Sequence, residues 1–187
     1  MQFEPLEIPD VVLITPVPSS DDRGTFWEIY RSSEFADASV DRSFRQVNFV
    51  SSSQRGVVRG LHFQIPPKPV AKLVSVAHGS IFDVAVDIRQ GSPTYGQHVA
   101  RVLDATSQQR LFVPEGFAHG YATLEPDTAV FYSVSNYWEP GVDRGVLWSD
   151  PAIGIDWPID DPLVSERDER LPLLIDLAPF FVYEGSS

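Results

Sequence analysis

Apolar residues recur at alternate positions through most of this chain, in short runs cut by clusters of glycine, proline and serine. That period of two predicts strands, because successive side chains of an extended backbone point to opposite faces. Val11–Ile14 reads as a short buried strand ended by Pro16 and Pro18, and residues 1–20 as an extended N-terminal arm. Thr25–Tyr30 alternates, with Phe26, Glu28 and Tyr30 on one face. Residues 31–39 suit a short helix. From Phe44 the pattern is strand after strand, with Phe44, Gln46, Asn48 and Val50 sharing a face. Leu73–Ala77, Ile81–Ile88, residues 97–103, 110–113 and 128–134 continue it. In Ile81–Ile88, the residues Phe82, Val84, Val86 and Ile88 are expected to form the core face, with Asp83 and Asp87 in polar networks on the other. The tail, 158–187, is richer in charge and is expected to pack against the body as loop and short helix.

Short strands separated by turns, with little helix between them, predict an all-β sandwich or barrel, and a jelly-roll barrel with a few short peripheral helices suits this length. The 187 residues, 43% hydrophobic, are read as a single domain spanning 1–187. No apolar run is long enough to span a bilayer, and Met1–Pro5 has neither the basic nor the apolar stretch of a secretory signal. The chain has no cysteine, so disulfides and thiolate chemistry are excluded, and a cytoplasmic location is expected. A formal net charge of −12 opposes binding to nucleic acid or to anionic membranes. A small anionic ligand then needs local cations, and Arg23 and Arg59, both beside glycine, are the candidates.

Chemistry concentrates in Gly56–Gln64 and at Lys72, where an arginine, an imidazole and an ammonium stand in strand-like sequence. Together they suit proton abstraction from an anionic substrate. A second stretch, Val113–Tyr121, delivers His119 after a turn, in the Pro-x-Gly-x-x-His spacing of a cupin motif. Metal-binding cupins also carry His-x-His, but the corresponding segment here is His62-Phe63-Gln64. Two histidines are too few for a metal site, and none is expected.

Gly60-Leu61-His62-Phe63-Gln64, Lys72-Leu73-Val74, Phe82–Arg89, Ser92–Gly96, Pro114–Gly120 and Trp148–Pro151 resemble the dTDP-4-dehydrorhamnose 3,5-epimerase family from about Arg23 to Asp168. The resemblance implies a cupin-type jelly-roll homodimer, without cofactor or metal, acting on a dTDP-4-keto-6-deoxy sugar at C3 and C5. By motif position it makes His62 the base and Asp168 its partner. Lys72 would face the enolate oxygen, and Tyr132 would be the acid on the far side. It places Arg23 and Arg59 on the diphosphate, and Phe26, Glu28, Gln46 and Asn48 around the nucleotide. His119 falls at the sugar, and Tyr137 and Trp138 are further pocket aromatics.

Ser133, where the family often has lysine, and Trp138, where a second tyrosine is common, depart from the pattern and bear on whether both carbons react. Competing readings are a single-site epimerase of an antibiotic-sugar pathway, a 3,4-ketoisomerase, a metal-dependent cupin and a non-catalytic sugar-nucleotide-binding cupin. His78 and His98 read as surface or turn residues. Strict alternation also puts Arg59 and His62 on opposite faces, so a shared ligand requires a bulge or twist near Gly60.

Overall fold

The computed structural model describes residues 1–38, 40 and 42–185. Two antiparallel sheets face each other in a cupin-type jelly roll. One has six strands in the spatial order β1 (Gln2–Pro5), β2 (Val12–Thr15), β10 (Arg110–Val113), β7 (Lys72–His78), β12 (Thr128–Val134) and β5 (Gln46–Ser52). The other runs β13 (Asp143–Gly145), β6 (Val58–Gln64), β11 (Phe117–Thr123), β8 (Ser80–Asp87) and β9 (His98–Asp104). A separate hairpin, β3 (Pro18–Asp21) with β4 (Gly24–Trp27), pairs only with itself. Among the described residues, two short helices complete the set, α1 (Ser32–Asp37) and α2 (Glu166–Glu169), with a 3-10 turn at Leu174–Asp176.

The main core lies between the sheets, where Leu13, Val74, Val76, Ile81, Leu111 and Val130 interdigitate. A second core covers the outside of the five-stranded sheet. There Val84, Val86 and Ile88 are buried beneath Ile153, Leu174, Phe180 and Phe181 from the C-terminal third. This corrects the expected facing of β8. Val84, Val86 and Ile88 point outward under the C-terminal segment, while Asp83, wholly buried, points between the sheets. Both faces of β8 are buried, and its aspartates are buried with them, so alternation alone cannot tell inside from outside.

Residues 1–20 do not form one arm. Gln2–Thr15 makes a hairpin joined to the six-stranded sheet through β2 and β10, and only β3 leaves it. The expected strand Thr25–Tyr30 ends at Trp27, where pairing with β3 stops. The helix expected over 31–39 is α1, with residue 39 outside the described residues; residues 186 and 187 of the tail also lie outside them. On the outer face of the six-stranded sheet, α1 covers β2 and β10 through Phe35. The β5–β12 corner of that face remains open, with Val47 63% and Phe49 58% exposed.

Candidate active site

Between the sheets lies a cavity of about 680 Å³, lined from both sides. Its six-stranded wall is built of two cross-strand rows. Lys72 opposes Val134, which opposes Gln46; Val74 opposes Tyr132, which opposes Asn48. The five-stranded wall contributes His62 opposite His119, and Arg59 opposite Tyr121, which in turn opposes Asp83.

Arg59 and His62 share the cavity because β6 is bulged between them. Across the ladder, His119 pairs with His62 and Tyr121 with Arg59, so two residues of β6 oppose Gly120 alone. The bulge depends on glycine in both strands. Gly60 has φ +126°, and a Cβ on it would lie 2.6 Å from the Gly120 Cα; one on Gly120 would lie 2.7 Å from the Arg59 carbonyl oxygen.

His62 is paired with Asp168 at 2.7 Å through Nε2. The carboxylate arrives from α2, whose N-cap Ser165 accepts from the Asp168 N–H and whose single buried residue is Asp168. Its second oxygen accepts from the Gly60 N–H at 3.3 Å. Burial disfavours the ionised carboxyl, but the bonds from His62 and Gly60 outweigh it, and Asp168 stays below its ordinary range. A carboxylate accepting from Nε2–H leaves the lone pair of His62 on Nδ1.

Lys72 bridges the walls. Its ammonium donates to the His62 carbonyl at 3.0 Å and lies 3.4 Å from His119 Nδ1. His119, itself buried, holds Asp83 through Nε2 at 2.8 Å. This pattern is consistent with neutral His119, accepting at Nδ1 and donating at Nε2. Desolvation, opposed by Asp83 and reinforced by Lys72, pushes its pKa down. Desolvation likewise pushes Lys72 down to about 8, against the pull of Asp143 and Asp83. An ammonium has three N–H groups. Two are engaged, and the third is left for the cavity.

Tyr132 is half-buried, and desolvation raises its pKa in spite of the neighbouring Arg59. Gln46 donates to Asn48 at 2.8 Å and accepts from the Trp138 backbone at 3.1 Å, ordering that part of the wall. Gln64 is saturated by backbone groups of Lys68, Tyr137 and Glu139.

Of the residues singled out in the sequence, His62, Lys72, Tyr132, Asp168, Gln46, Asn48, Arg59, His119 and Trp138 line this one cavity. Arg23, Phe26, Glu28 and Tyr137 do not. Arg23 folds back onto Asp21, Glu28 pairs with Arg31, Phe26 is 69% exposed, and the Tyr137 ring faces outward. Arg23 and Phe26 sit on the free-standing hairpin, which no other strand among the described residues draws toward the cavity. Two lining residues, Tyr121 and Asp143, and one residue behind them, Asp83, escaped the sequence reading as site residues. Tyr121 is two residues after His119 and therefore on the same strand face, a relation the sequence does contain. Asp143, paired with Arg167 at 2.5 Å, and Asp83 as the holder of His119 depend on contacts between distant segments.

A cupin-type jelly roll whose cavity joins an imidazole–carboxylate pair to an ammonium and a phenol has the equipment of an acid–base enzyme for carbon acids. The family model described as dTDP-4-dehydrorhamnose 3,5-epimerase matches residues 5–176. The chain is 45% identical over 184 residues to a dTDP-4-dehydrorhamnose 3,5-epimerase of Sinorhizobium fredii, spanning 98% of this chain and 94% of that one. To a dTDP-4-dehydrorhamnose 3-epimerase of Streptomyces niveus it is 40% identical over 178 residues, 94% of this chain and 85% of the other. Among solved structures, a dTDP-6-deoxy-D-glucose-3,5-epimerase of Legionella pneumophila in complex with dTDP-4-keto-L-rhamnose superposes with a TM-score of 0.93, at 34% identity and 98% coverage of both chains. The chain belongs to the dTDP-4-dehydrorhamnose 3,5-epimerase family; it is an isomerase of deoxysugar biosynthesis.

Proposed function

We propose that this enzyme inverts C3 and C5 of a dTDP-linked 4-keto-6-deoxyhexose, using His62 as base and Tyr132 as acid. The observation that carries this reading is that the two groups enter one cavity from opposite sheets, with the Lys72 ammonium between the walls. A carbon next to the ketone is acidic because its carbanion delocalises onto oxygen. His62 Nδ1 removes that proton, and the C–H electron pair moves to the carbonyl oxygen as an enolate. The third N–H of Lys72 donates to that oxygen. As the enolate collapses, Tyr132 delivers its proton to the opposite face of the carbon. The imidazolium then loses its proton to solvent and the phenolate regains one, so the net change is inversion. Asp168 stabilises the imidazolium in the interval.

Arg59 is the cation for the diphosphate, its guanidinium suited to paired oxygens, and Gln46, Asn48 and Trp138 are placed for the nucleotide. The working form is a homodimer. Val47, Phe49 and Phe131 form an open apolar corner on the outer face, and the free-standing hairpin carries an exposed Phe26 beside Arg23. Pairing two copies would cover the corner and let each hairpin, with Arg23, Phe26 and Glu28, reach the other copy's cavity. A single-site reading is favoured by the 40% identity to a 3-epimerase and by the likeness to solved 3'-monoepimerase structures at 33–36% identity.

The test is incubation with dTDP-4-keto-6-deoxyglucose in D₂O, followed by NMR at C3 and C5, with His62→Ala as control. Deuterium and inversion at both carbons are expected. Exchange at one alone makes this a monoepimerase, and no exchange despite binding overturns the assignment. Sedimentation at working concentration tests the dimer.

A further inference from the structure

Two buried polar atoms have no hydrogen-bond partner among the described residues: the hydroxyl of Tyr121, which lines the cavity, and Oδ2 of Asp83, which holds the lining residue His119. They belong to residues directly opposite one another in the β11–β8 ladder. Both residues point between the sheets, Tyr121 3% and Asp83 0% exposed; burial raises the phenol's pKa, Arg59 opposes it, and Tyr132 and Asp83 add to it. An unpaired hydroxyl and an unpaired carboxylate oxygen, both buried, are each costly. One water satisfies both at once, accepting from the phenol and donating to the carboxylate, which meets the usual requirement of at least two polar partners for a buried water.

We propose that Tyr121 is a positioning residue for the epimerisation, its hydroxyl and Asp83 Oδ2 holding one ordered water between them. That water closes a chain through the wall. Lys72 Nζ lies 3.4 Å from His119 Nδ1, His119 Nε2 lies 2.8 Å from Asp83 Oδ1, and Asp83 Oδ2 meets the water anchored by Tyr121. With both oxygens engaged, the carboxylate cannot swing about its terminal torsion. The imidazole it holds keeps its Nδ1 lone pair on Lys72, and the remaining N–H of the ammonium stays aimed at the cavity. Removing the hydroxyl frees one end of the carboxylate and loosens that aim. Tyr121 also lines the cavity, so the KM of a variant without the hydroxyl separates positioning from direct contact with substrate.

The inference rests on the proposed role of Lys72 at the enolate oxygen. Tyr121→Phe, which removes one oxygen and keeps the ring, is expected to lower kcat about tenfold, the scale on which small misplacements of a catalytic group act, with KM within twofold of wild type. High-resolution crystal structures are expected to show a water between Tyr121 and Asp83 in the wild type and its loss in the variant. An unchanged kcat overturns the inference. So does a raised KM at constant kcat, which would make the hydroxyl a substrate contact. If the variant does not fold, the wild-type crystal structure decides alone: a dry gap between the two atoms refutes the water. If the wild type does not epimerise the sugar, the proposed function fails, whereas the water stands or falls on the crystallography.

Discussion

Asp168→Asn tests the base most sharply, because the surroundings of the carboxylate dictate how the amide must sit. Oδ2 of Asp168 accepts from the Gly60 N–H, so the amide oxygen of asparagine takes that place and its NH₂ faces His62 Nε2. An NH₂ donates, so Nε2 must accept, and the ring proton moves to Nδ1, the nitrogen that has to receive the substrate's proton. Two losses combine. A hydrogen bond to a charged group, here the 2.7 Å contact to the imidazolium, is worth about 1.5–3 kcal/mol, or roughly 10- to 150-fold in rate. The wrong tautomer adds to this, and the same exchange in a comparable histidine–aspartate pair costs about 10⁴. A fall in kcat of about 10³–10⁴ is therefore expected, with KM little changed. The assay is deuterium uptake at C3 and C5 by NMR, alongside Asp168→Ala. Alanine imposes no tautomer, so it should retain at least as much activity as asparagine. Asparagine activity within threefold of wild type, or well above that of alanine, would falsify the reasoning.

Tyr132→Phe leaves His62 able to remove and return a proton on its own face, so deuterium exchange is expected to persist while inversion falls at least about 100-fold; equal loss of both would remove Tyr132 from the acid role. Lys72 must be protonated to face an enolate, and its pKa, depressed to about 8 by burial, predicts that kcat/KM falls as pH rises through that value. Asp143 and Asp83 oppose that depression and enter through the same balance, and Lys72→Met should abolish this alkaline limb together with most of the activity. Gly60→Ala puts a methyl 2.6 Å from the Gly120 Cα at φ +126°, so denaturant unfolding should show a loss of about 2 kcal/mol or more; wild-type stability would mean that the bulge is not specified by glycine.

What the amino-acid sequence determined by itself is considerable, because strand alternation is a local property and the motifs are contiguous. The two sheets, the limits of most strands, and the cavity positions of His62, Lys72, His119 and Tyr132 were all legible. So was the need for a bulge or twist near Gly60 if Arg59 and His62 were to share a ligand; the structure supplies the bulge. Three matters were decided only by the tertiary structure. The facing of β8 turned on the C-terminal third packing over the outer sheet face, which hides Val84 as thoroughly as the inner core hides Ile81. Asp168 was paired with His62 by motif position, but its charge-rich tail reads as solvated, and its burial comes only from the docking of α2 beside β6. Arg23 and Phe26 have motif positions but no place in this chain's own cavity, because the β3–β4 hairpin finds no third strand among the described residues to hold it there, and Glu28, just beyond it, is held by Arg31. In each case the missing information was a contact between segments far apart along the chain, which no local pattern encodes.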